Sequence, residues 1–555
     1  MLRKLPKLLL ILLGSLLVIN VLQAYFTELI YDEAYYWHYA QNMAWGYFDH
    51  PPMVALLIKI SSFFFDGELG VRFMSCVLSV GSFLFLWLLI DNPKKNDHII
   101  LFMLFGFSMT LVNAYGFFTL PDTPLVFFSC AFLLAYKYFI KKPTYILSVI
   151  LGILMAALMY SKYHAFLVIF FVILSNIKLV TTKYAWVAVI VALLCYTPHF
   201  IWLFDHDFVS IKYHISERPN GAYNFEKYTL GFFVNLIAIL GFTFPWVYKA
   251  LYKTKGTDLF TKALLYLTYG FIIFFFISSF NRRIQTQWVI IISIPLFIMV
   301  YNYMLNNENT RKWIYRMAIL NCIILAILRI GLIYKPLFPI QYESHGNKFW
   351  TNNIQSQIGD MPVIFENSYR NTPMYKFYTG NPSFSLNNIH YRQNQYTIDD
   401  SEALVQHKKV VYLSKYFKDG NFSYKRINGK NYYGKYIDNF ESYRKLRCFI
   451  KEDIDSLNTN TTLTLQVYNP YPENIPLKKI KFAVGYLDPY KKVKDILPIL
   501  PVAINKDFLF LKSKDTTNFT FRLPIPKMKK PSYLKISISE NGLMYGINST
   551  NTKLK

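Results

Sequence analysis

Residues 8–26 read "LLLILLGSLLVINVLQAYF", and this apolar run decides the class of fold. A helix needs about 20 predominantly apolar residues to cross a hydrocarbon core of about 30 Å, so the run can span a membrane. Only a closed barrel would compete as a spanning structure. Arg3, Lys4 and Lys7 precede the run as in a signal peptide, but no small-residue cleavage site follows it. We therefore predict an uncleaved membrane anchor.

Further apolar stretches follow, which gives eleven predicted spans in all. They lie at about 8–24, 70–90, 98–117, 124–140, 144–160, 165–178, 185–203, 229–248, 262–280, 286–303 and 315–334. Composition agrees, because 54% of the 555 residues are hydrophobic and only 17% are charged. A soluble domain of this size would carry more charge. The chain is therefore predicted to be a polytopic α-helical membrane protein with about eleven or more spans.

Positive charge alternates between the predicted loops. If the N-terminus is cytoplasmic, the inner loops hold Lys94 and Lys95, Lys141 and Lys142, Lys178 and Lys183, Lys249, Lys253 and Lys255, and Arg311, Lys312 and Arg316. This is the positive-inside pattern. Contact of these loops with anionic lipid headgroups explains part of the net charge of +26. Nucleic acid is not the expected partner, because the basic residues are dispersed and no nucleic-acid-binding motif occurs.

The sequence changes character from about residue 335. Several segments have the length and composition of strands, between turns that contain Asn, Gly or Pro: "KVVYLSKYF", "TTLTLQVYN", "KIKFAVGYL", "FTFRLPI" and "YLKISIS". The earlier "MPVIFENSYRNTPMYKFYTG" mixes strand and helix patterns. We predict a transmembrane domain over 1–335 and a soluble α/β or mainly β domain over 336–555. An odd number of spans would place the second domain outside the cytoplasm.

The predicted topology collects charged and histidine side chains on the outward face. They are Asp32, Glu33, Asp49, His50, Asp122, Lys162, His164, Asp205, His206, Asp207, His214, Arg218, Arg282 and Arg283. Any one of them can be read as an ordinary solvated loop end. A shared cavity explains the whole set better, because the intervening loops are short and a charged residue near the bilayer centre costs about 2.5–3.5 kcal/mol.

The stretch "YDEAYYWHYAQNMAWGYFDHPP" (31–52) carries the densest part of this set. Its aromatic residues predict an amphipathic helix that lies flat on the membrane interface, and most of them read as an interfacial belt. Asp32 and Glu33 would be partly desolvated at that depth. Desolvation raises the basicity of a carboxylate, which suits a general base.

Other motifs supply single polar groups, each with a structural and a functional interpretation. The Asp-His-Pro-Pro turn is either a rigid corner or a means of aiming His50 at a phosphate and Asp49 at a metal ion. Asp122 in "LPDTPL" is either a helix N-cap or a cavity carboxylate, and Lys162 in "YSKYH" either snorkels or binds an anion. Multidentate phosphate binding suits two adjacent guanidinium groups, those of Arg282 and Arg283.

Taken in order, these motifs resemble the GT-C class of membrane glycosyltransferases. The resemblance rests on the acidic pair after the first span, "YFDHPP", "PDTPL", "SKYHAF", "PHFIWLFDHDFVSIKYHISER" and an Arg-Gln-Trp loop. It covers about residues 8–335 and is nearest to the branch of the bacterial aminoarabinose transferases of lipid A and the protein O-mannosyltransferases. It implies an enzyme of the inner or plasma membrane that uses a polyprenyl-phosphate sugar at an extracytoplasmic active site.

The resemblance also implies roles for individual residues. Catalysis is assigned to Asp32, Glu33 and Asp122, with Asp32 as base or acceptor-orienting group. Donor phosphate binding is assigned to His50, Lys162, Arg218, Arg282 and Arg283. The residues expected to line the substrate site are Tyr35, Tyr36, Tyr163, His206 and Trp288. A divalent metal could bind Asp49 and His214, but the ligand spacing is not compact and no cofactor is otherwise required. This chain has Asp-His-Pro-Pro where the aminoarabinose transferases have Glu-Lys-Pro-Pro.

The implied reaction transfers a sugar to a hydroxyl or phosphate of lipid A, another glycolipid, a cell-envelope polymer or a protein, and one displacement would invert the anomeric centre. No Gly-rich nucleotide loop is present or needed. A lipid-linked-sugar flippase is the alternative, for which internal repeats and interrupted helices would be expected; the sequence predicts neither. A scaffold whose tail is its binding module is a second alternative, and activity retained after deletion of 345–555 would argue against it.

Overall fold

The computed structural model describes residues 5–338, 340–454, 461–504 and 509–554, so Arg3 and Lys4 lie outside the described residues. It divides into two compact units, Met1–Asp207 with Tyr223–His345, and Phe208–Ala222 with Gly346–Lys555. The sequence predicts a boundary at 335/336, whereas the structure keeps 336–345 with the first unit. The reason is local, since His345 Nε2 lies 2.9 Å from the carbonyl oxygen of Gly331.

Helices make up most of the chain before residue 346. They are α1 (Lys7–Phe26), α2 (Tyr31–Gln41), α3 (Met53–Ser61), α4 (Gly67–Leu89), α5 (Ile99–Ser108), α6 (Thr110–Ala114), α7 (Asp122–Lys141), α8 (Tyr145–Ser161), α9 (Ala165–Ser175), α10 (Lys183–Asp205), α11 (Val209–Lys212), α12 (Gly231–Ala238), α13 (Phe244–Lys253), α14 (Leu259–Ser278), α15 (Ser293–Leu305) and α16 (Glu308–Ile333). Of these, α11 belongs to the second unit.

Within the described residues, seven helices are long and apolar enough to cross a membrane. They are α1, α4, α7, α10, α14, α16 and Thr286–Leu305, which begins as a 3₁₀ turn and continues as α15. A bent pair brings the number to eight, and α8 and α9 are shorter apolar helices. The prediction of a polytopic helical membrane protein is confirmed, and the count of eleven spans stays a prediction.

The predicted span 229–248 is broken. Its two halves, Glu226–Ala238 and Gly241–Lys253, are bent by 94°. Gly241 has a φ of 56°, and a Cβ there would lie 2.6 Å from the side chain of Asn321. The Asn321 amide donates to and accepts from the backbone on either side of Gly241, both at 3.0 Å. These bonds satisfy backbone groups that the break frees. The expectation of no interrupted helix was wrong here.

The second unit contains helices α17 (Asn347–Ile358) and α18 (Asn371–Thr379) and fifteen strands within its described residues. The strands are β1 (Val363–Glu366), β2 (Ser383–Leu386), β3 (Val410–Ser414), β4 (Phe422–Lys425), β5 (Asn431–Ile437), β6 (Arg447–Ile450), β7 (Thr462–Tyr468), β8 (Ile475–Pro476), β9 (Ile480–Leu487), β10 (Val493–Ile499), β11 (Val502–Ala503), β12 (Phe510–Leu511), β13 (Thr516–Arg522), β14 (Tyr533–Glu540) and β15 (Thr552–Lys553). Each of the segments predicted as strands contains or overlaps a strand, and the segment that mixes strand and helix patterns contains β1 and α18.

The described strands form one mixed sheet, a β-sandwich, and a two-stranded sheet of β8 and β12. The mixed sheet has the order β2-β1-β3-β5-β4, with β1 parallel to β2 and β3. The sandwich consists of the sheets β10-β9-β14-β15 and β11-β13-β7-β6. Their inner faces share one apolar core, in which the rings of Phe482 and Phe519 lie 5.6 Å apart. The prediction of a β-rich C-terminal domain is confirmed.

A buried ionic cluster links the end of β14 to the segment before β3. Arg444 Nε lies 3.1 Å from Glu540 Oε1, and both side chains are buried. Glu402 Oε1 accepts hydrogen bonds from Ser442 Oγ at 2.6 Å and from the backbone N–H of Arg444 at 2.9 Å. Burial raises the pKa of Glu540 to about 7, although Arg444 opposes the shift. Burial also raises the pKa of Glu402.

Candidate active site

The acidic pair lies in the first turn of α2, where negative charge favours a helix N-terminus. Glu33 Oε2 accepts a hydrogen bond from the N–H of Ile30 at 3.2 Å and so caps the helix. Asp32 is half-buried, whereas Tyr35 and Tyr36 are at most 6% exposed. Of the aromatic side chains of α2, those of Tyr35, Tyr36 and Tyr39 are buried inside the first unit, and those of Tyr31 and Trp37 are half-buried. That the helix lies flat on the membrane interface stays a prediction.

Glu33 is fully buried and bound on every side. Arg72 Nε donates to Glu33 Oε1 at 2.8 Å and a second Arg72 nitrogen donates to Oε2 at 2.5 Å. The N–H of Thr119 donates to Oε1 at 2.9 Å. The other Arg72 hydrogens reach carbonyl oxygens at the end of α1, those of Ala24, Thr27 and Glu28. These hydrogen bonds fix the turn that carries Asp32, and the catalytic role of Glu33 stays a prediction.

Asp122 and Lys162 form a second buried ion pair. Lys162 Nζ donates to both carboxylate oxygens of Asp122, at 2.8 and 2.9 Å, and the two side chains are 5–6% exposed. Asp122 is the first residue of α7, and Lys162 follows the last residue of α8. Neither group is therefore a solvated cap or a snorkelling side chain.

Tyr115 joins the two predicted catalytic carboxylates in one site. Its phenol interacts electrostatically with Asp122 and, more weakly, with Asp32. Asp32 also acts on the phenol of Tyr342. The structure thus brings Asp32 into the surroundings of the Asp122–Lys162 pair, although Asp32 and Asp122 are ninety positions apart in the chain.

The Asp-His-Pro-Pro turn is held against α2. The hydroxyl of Tyr35 donates to Asp49 Oδ2 at 2.9 Å. The ring of Tyr36 meets that of His50 edge to face, with centroids 5.7 Å apart. The turn is therefore a corner fixed by two residues that the sequence assigns to substrate lining. The phosphate-binding role of His50 stays a prediction.

Helix α10 orients the loop that precedes this turn. His199 Nδ1 lies 2.7 Å from the carbonyl oxygen of Trp45, and His199 Nε2 lies 3.2 Å from the hydroxyl of Tyr163. A carbonyl oxygen only accepts, so Nδ1 carries the hydrogen and Nε2 is left to accept from Tyr163. The orientation of Tyr163, a predicted substrate-lining residue, is thereby fixed by His199.

Gly46 is required by the close approach of Trp202. A Cβ at position 46 would lie 2.2 Å from the indole ring, which is closer than a side chain can tolerate. The same indole stacks on His206 at 4.2 Å. The aromatic loop and the predicted lining residue His206 are therefore held by one tryptophan of α10.

The predicted cationic loop follows α14. Arg282 is half-buried and Arg283 is exposed. Trp288, shortly after them, contacts His164 with ring centroids 5.4 Å apart. The phosphate-binding role of Arg282 and Arg283 stays a prediction.

His214 and Arg218 belong to the second unit, with the segment Phe208–Ala222, and not to the unit that holds Asp49. The predicted metal ligands Asp49 and His214 thus come from different units. In the part of the chain that the structure describes, no group of three or more His, Cys, Asp or Glu side chains could hold a metal ion. The predicted metal site gains no support from this geometry.

Sequence reasoning missed several residues of this unit. Arg72 is the single charged residue of the predicted span 70–90, and Arg329 lies deep within the predicted span 315–334, whose other arginine, Arg316, is at its start. Buried charge in a membrane needs partners. Arg329 Nε donates to Asn113 Oδ1 at 2.8 Å, and its guanidinium lies 4.5 Å from the ring centre of Phe117. A charge within an apolar span was the signal that could have marked both arginines. Tyr115 carried no such signal.

Residues 49–202 match the family model of the dolichyl-phosphate-mannose-protein mannosyltransferases. This range contains Asp49, Arg72, Asp122, Lys162 and His199, and it begins after Asp32. No curated protein matches the chain significantly.

The fold is similar to that of ArnT from Cupriavidus metallidurans. The crystal structure of its apo state has a TM-score of 0.54 and 11% sequence identity, and the match covers 73% of this chain and 92% of ArnT. The crystal structure of the same protein bound to undecaprenyl phosphate has a TM-score of 0.50 and 12% identity, with the same coverage.

Proposed function

We propose that the chain is a membrane glycosyltransferase of the GT-C class, which moves a sugar from a polyprenyl-phosphate donor to an acceptor hydroxyl or phosphate on the outer face of the membrane; the family match over residues 49–202 and the ArnT-like fold support this proposal. The observation that carries this proposal is that Tyr115 interacts electrostatically with both Asp122 and Asp32, while Lys162 donates to Asp122. A half-buried carboxylate, a buried ion pair and a phenol at one place suit proton removal beside a phosphate.

Asp32 is the base in this proposal. It takes the proton of the acceptor hydroxyl as the oxygen attacks the anomeric carbon, while the bond from that carbon to the donor phosphate oxygen breaks. Glu33 and Arg72 hold the helix turn that aims Asp32. The polyprenyl phosphate leaves with the bonding electrons, and attack opposite the leaving group inverts the anomeric centre.

Lys162 stabilises the leaving phosphate, with Asp122 as its positioning partner. Because Lys162 donates to both oxygens of Asp122, its ammonium is already held in place before a donor arrives. Such preorganised charge lowers the barrier without reorganisation during the reaction. Arg282 and Arg283 would add guanidinium groups at the same phosphate.

The donor is proposed to be a sugar on a polyprenyl phosphate, which agrees with the undecaprenyl phosphate bound to ArnT in its crystal structure. The acceptor belongs to one of four classes: lipid A, another glycolipid, a cell-envelope polymer or a protein. An outward active site suits all four.

The test is transfer of a radiolabelled sugar from a pool of polyprenyl-phosphate sugars in proteoliposomes. We compare wild type with Asp32→Asn, and with Asp97→Asn as a matched control at an exposed position. Label should leave the donor in wild type and control and stay on it in Asp32→Asn. The lipid, protein or aqueous fraction that receives the label names the acceptor class.

A flippase is the second candidate, favoured by the bent pair Glu226–Ala238 and Gly241–Lys253. Interrupted helices are common in transporters. In the same experiment, intact donor that crosses the bilayer equally well in wild type and Asp32→Asn, with no label transferred, would support the flippase and end the transferase proposal.

A further inference from the structure

The second unit contains a cavity of about 370 Å³ between the segment Phe208–Ala222, the loop before Gln395 and the sandwich sheet. Its lining includes four residues with cationic side chains, Arg392, Lys491, Lys492 and Lys535, and one carboxylate, Glu217. The cavity is large enough for a small ligand, whose sites range from about 300 to 1,000 Å³. An excess of positive charge marks it for an anion.

Lys535 is the buried cation of this cavity. The alternate β14 residues Leu534 and Ile536 face the sandwich core, so Lys535 lies on the opposite face of the strand. The side chain is 8% exposed. Burial lowers the pKa of Lys535 to about 8, against the opposing effect of Glu217. A buried ammonium group is costly unless it is paired, so a bound anion would stabilise it.

The floor beside Lys535 is shaped by a glycine. Gly485 stands opposite Lys535 in the sheet, and a Cβ there would lie 2.5 Å from Ile389 and 3.6 Å from the Lys535 stem. The absence of a side chain at 485 therefore leaves room for both residues that line the cavity. A cavity that arose from loose packing would not need this close fit.

The opposite wall is built by the segment 208–222. Glu217 accepts hydrogen bonds from the N–H of Asn551 at 3.2 and 3.4 Å, and the N–H of Asn220 donates to the carbonyl oxygen of Tyr490 at 3.1 Å. The guanidinium of Arg392 lies over the ring of Tyr213, 5.1 Å from its centre. The wall thus places an arginine and an aromatic face side by side.

We propose that this cavity binds a phosphorylated sugar, with Arg392 and Lys535 contacting the phosphate and Tyr213 contacting the sugar ring. A guanidinium matches phosphate oxygens in a two-point geometry, and a neighbouring ammonium adds a point charge. This site lies in the second unit and involves none of the groups proposed for catalysis. The proposal of this site therefore does not depend on the proposed sugar transfer.

The test is isothermal titration calorimetry on the full chain in detergent, with glucose 1-phosphate, methyl glucoside, glucuronate and inorganic phosphate as probes. Glucose 1-phosphate should bind most tightly, inorganic phosphate more weakly, and methyl glucoside not measurably. Glucuronate bound as tightly as glucose 1-phosphate would overturn the preference for phosphate. Absence of binding by both phosphate probes would overturn the site.

Variants locate the bound probe. Lys535→Met and Arg392→Gln should each weaken glucose 1-phosphate binding by about tenfold, because each removes a charged hydrogen-bond donor. Thr550→Trp should also weaken glucose 1-phosphate binding, because the indole fills the cavity while every charged side chain is retained. Lys481→Met, an exposed lysine of the same sheet, should bind as wild type does. Binding that survives all three cavity variants but is lost in Lys162→Met would place the anion in the first unit and overturn the proposal.

Discussion

Arg72 and Glu33 bind each other through two hydrogen bonds, of 2.8 and 2.5 Å, and neither side chain has any exposed surface. The pair joins α4 to the first turn of α2. The two adjacent acidic residues differ in burial, since Glu33 is enclosed while Asp32 keeps part of its surface exposed.

Glu33→Gln should destabilise the protein by about 3–5 kcal/mol, because it leaves the Arg72 guanidinium buried without its counter-charge. Thermal unfolding in detergent should show this loss. Asp32→Asn should instead unfold at nearly the wild-type temperature and lose sugar transfer by about 100-fold or more. Equal losses of stability in both variants would contradict the division of roles.

Removal of one member of the Asp122–Lys162 pair should cost more stability than removal of both. Either Asp122→Asn or Lys162→Met leaves a buried charge uncompensated, at about 3–5 kcal/mol, whereas the double variant leaves none. The double variant should therefore unfold at a higher temperature than Lys162→Met and still lack transfer activity. Additive destabilisation in this cycle would show that the ion pair is not coupled.

Gly46→Ala should lower both stability and activity. The new methyl group collides with Trp202, and overpacking of this kind costs about 1–3 kcal/mol. Trp202→Leu in the Gly46→Ala background should recover part of the stability, since the smaller side chain vacates the space. If the second substitution recovered no stability, the destabilisation by Gly46→Ala would not come from contact with Trp202.

The stability of the second unit should fall as the pH rises. Burial raises the pKa of Glu540 from 4.5 to about 7, so the folded unit binds this proton more tightly than the unfolded chain does. The stabilisation is complete below pH 4.5 and is lost as the pH passes through about 7. Glu540→Gln should weaken this pH dependence. A remaining dependence of the same sign is expected from Glu402, whose pKa is also raised by burial.

Hydrogen exchange of the β14 amides in the full chain measures this effect, once exchange is corrected for its own pH dependence. The free energy of opening should decrease from pH 5 to 8 in wild type and less so in Glu540→Gln. A wild-type slope that Glu540→Gln leaves unchanged would exclude Glu540 as its source.

The sequence predicts the helices and strands well because their signals are local. A run such as 8–26 or an alternation such as that around Leu465 is complete within a few residues. The alternation of positive charge between the predicted loops also predicted Asp32, Asp122 and Lys162 on the same face of the membrane. These predictions needed no knowledge of distant contacts.

Pairing across the fold was not predictable in the same way. Nothing around Arg72 says that its partner is Glu33, and nothing around Gly241 says that Asn321 supports a break there. The burial of Tyr35 and Tyr36 also depends on α2 being enclosed by its neighbours. An interfacial belt and a buried aromatic cluster have the same composition, so the sequence could not separate them.

The assignment of Phe208–Ala222 to the second unit has a consequence for biogenesis. This segment is synthesised well before β14, which supplies Lys535 to the cavity that the segment walls. Since chains fold as they are made, the segment must wait for partners that are synthesised much later. A chain terminated before β14 would contain every helix of the first unit and still lack the strand that faces this wall. The second unit therefore cannot close until β14 has been synthesised.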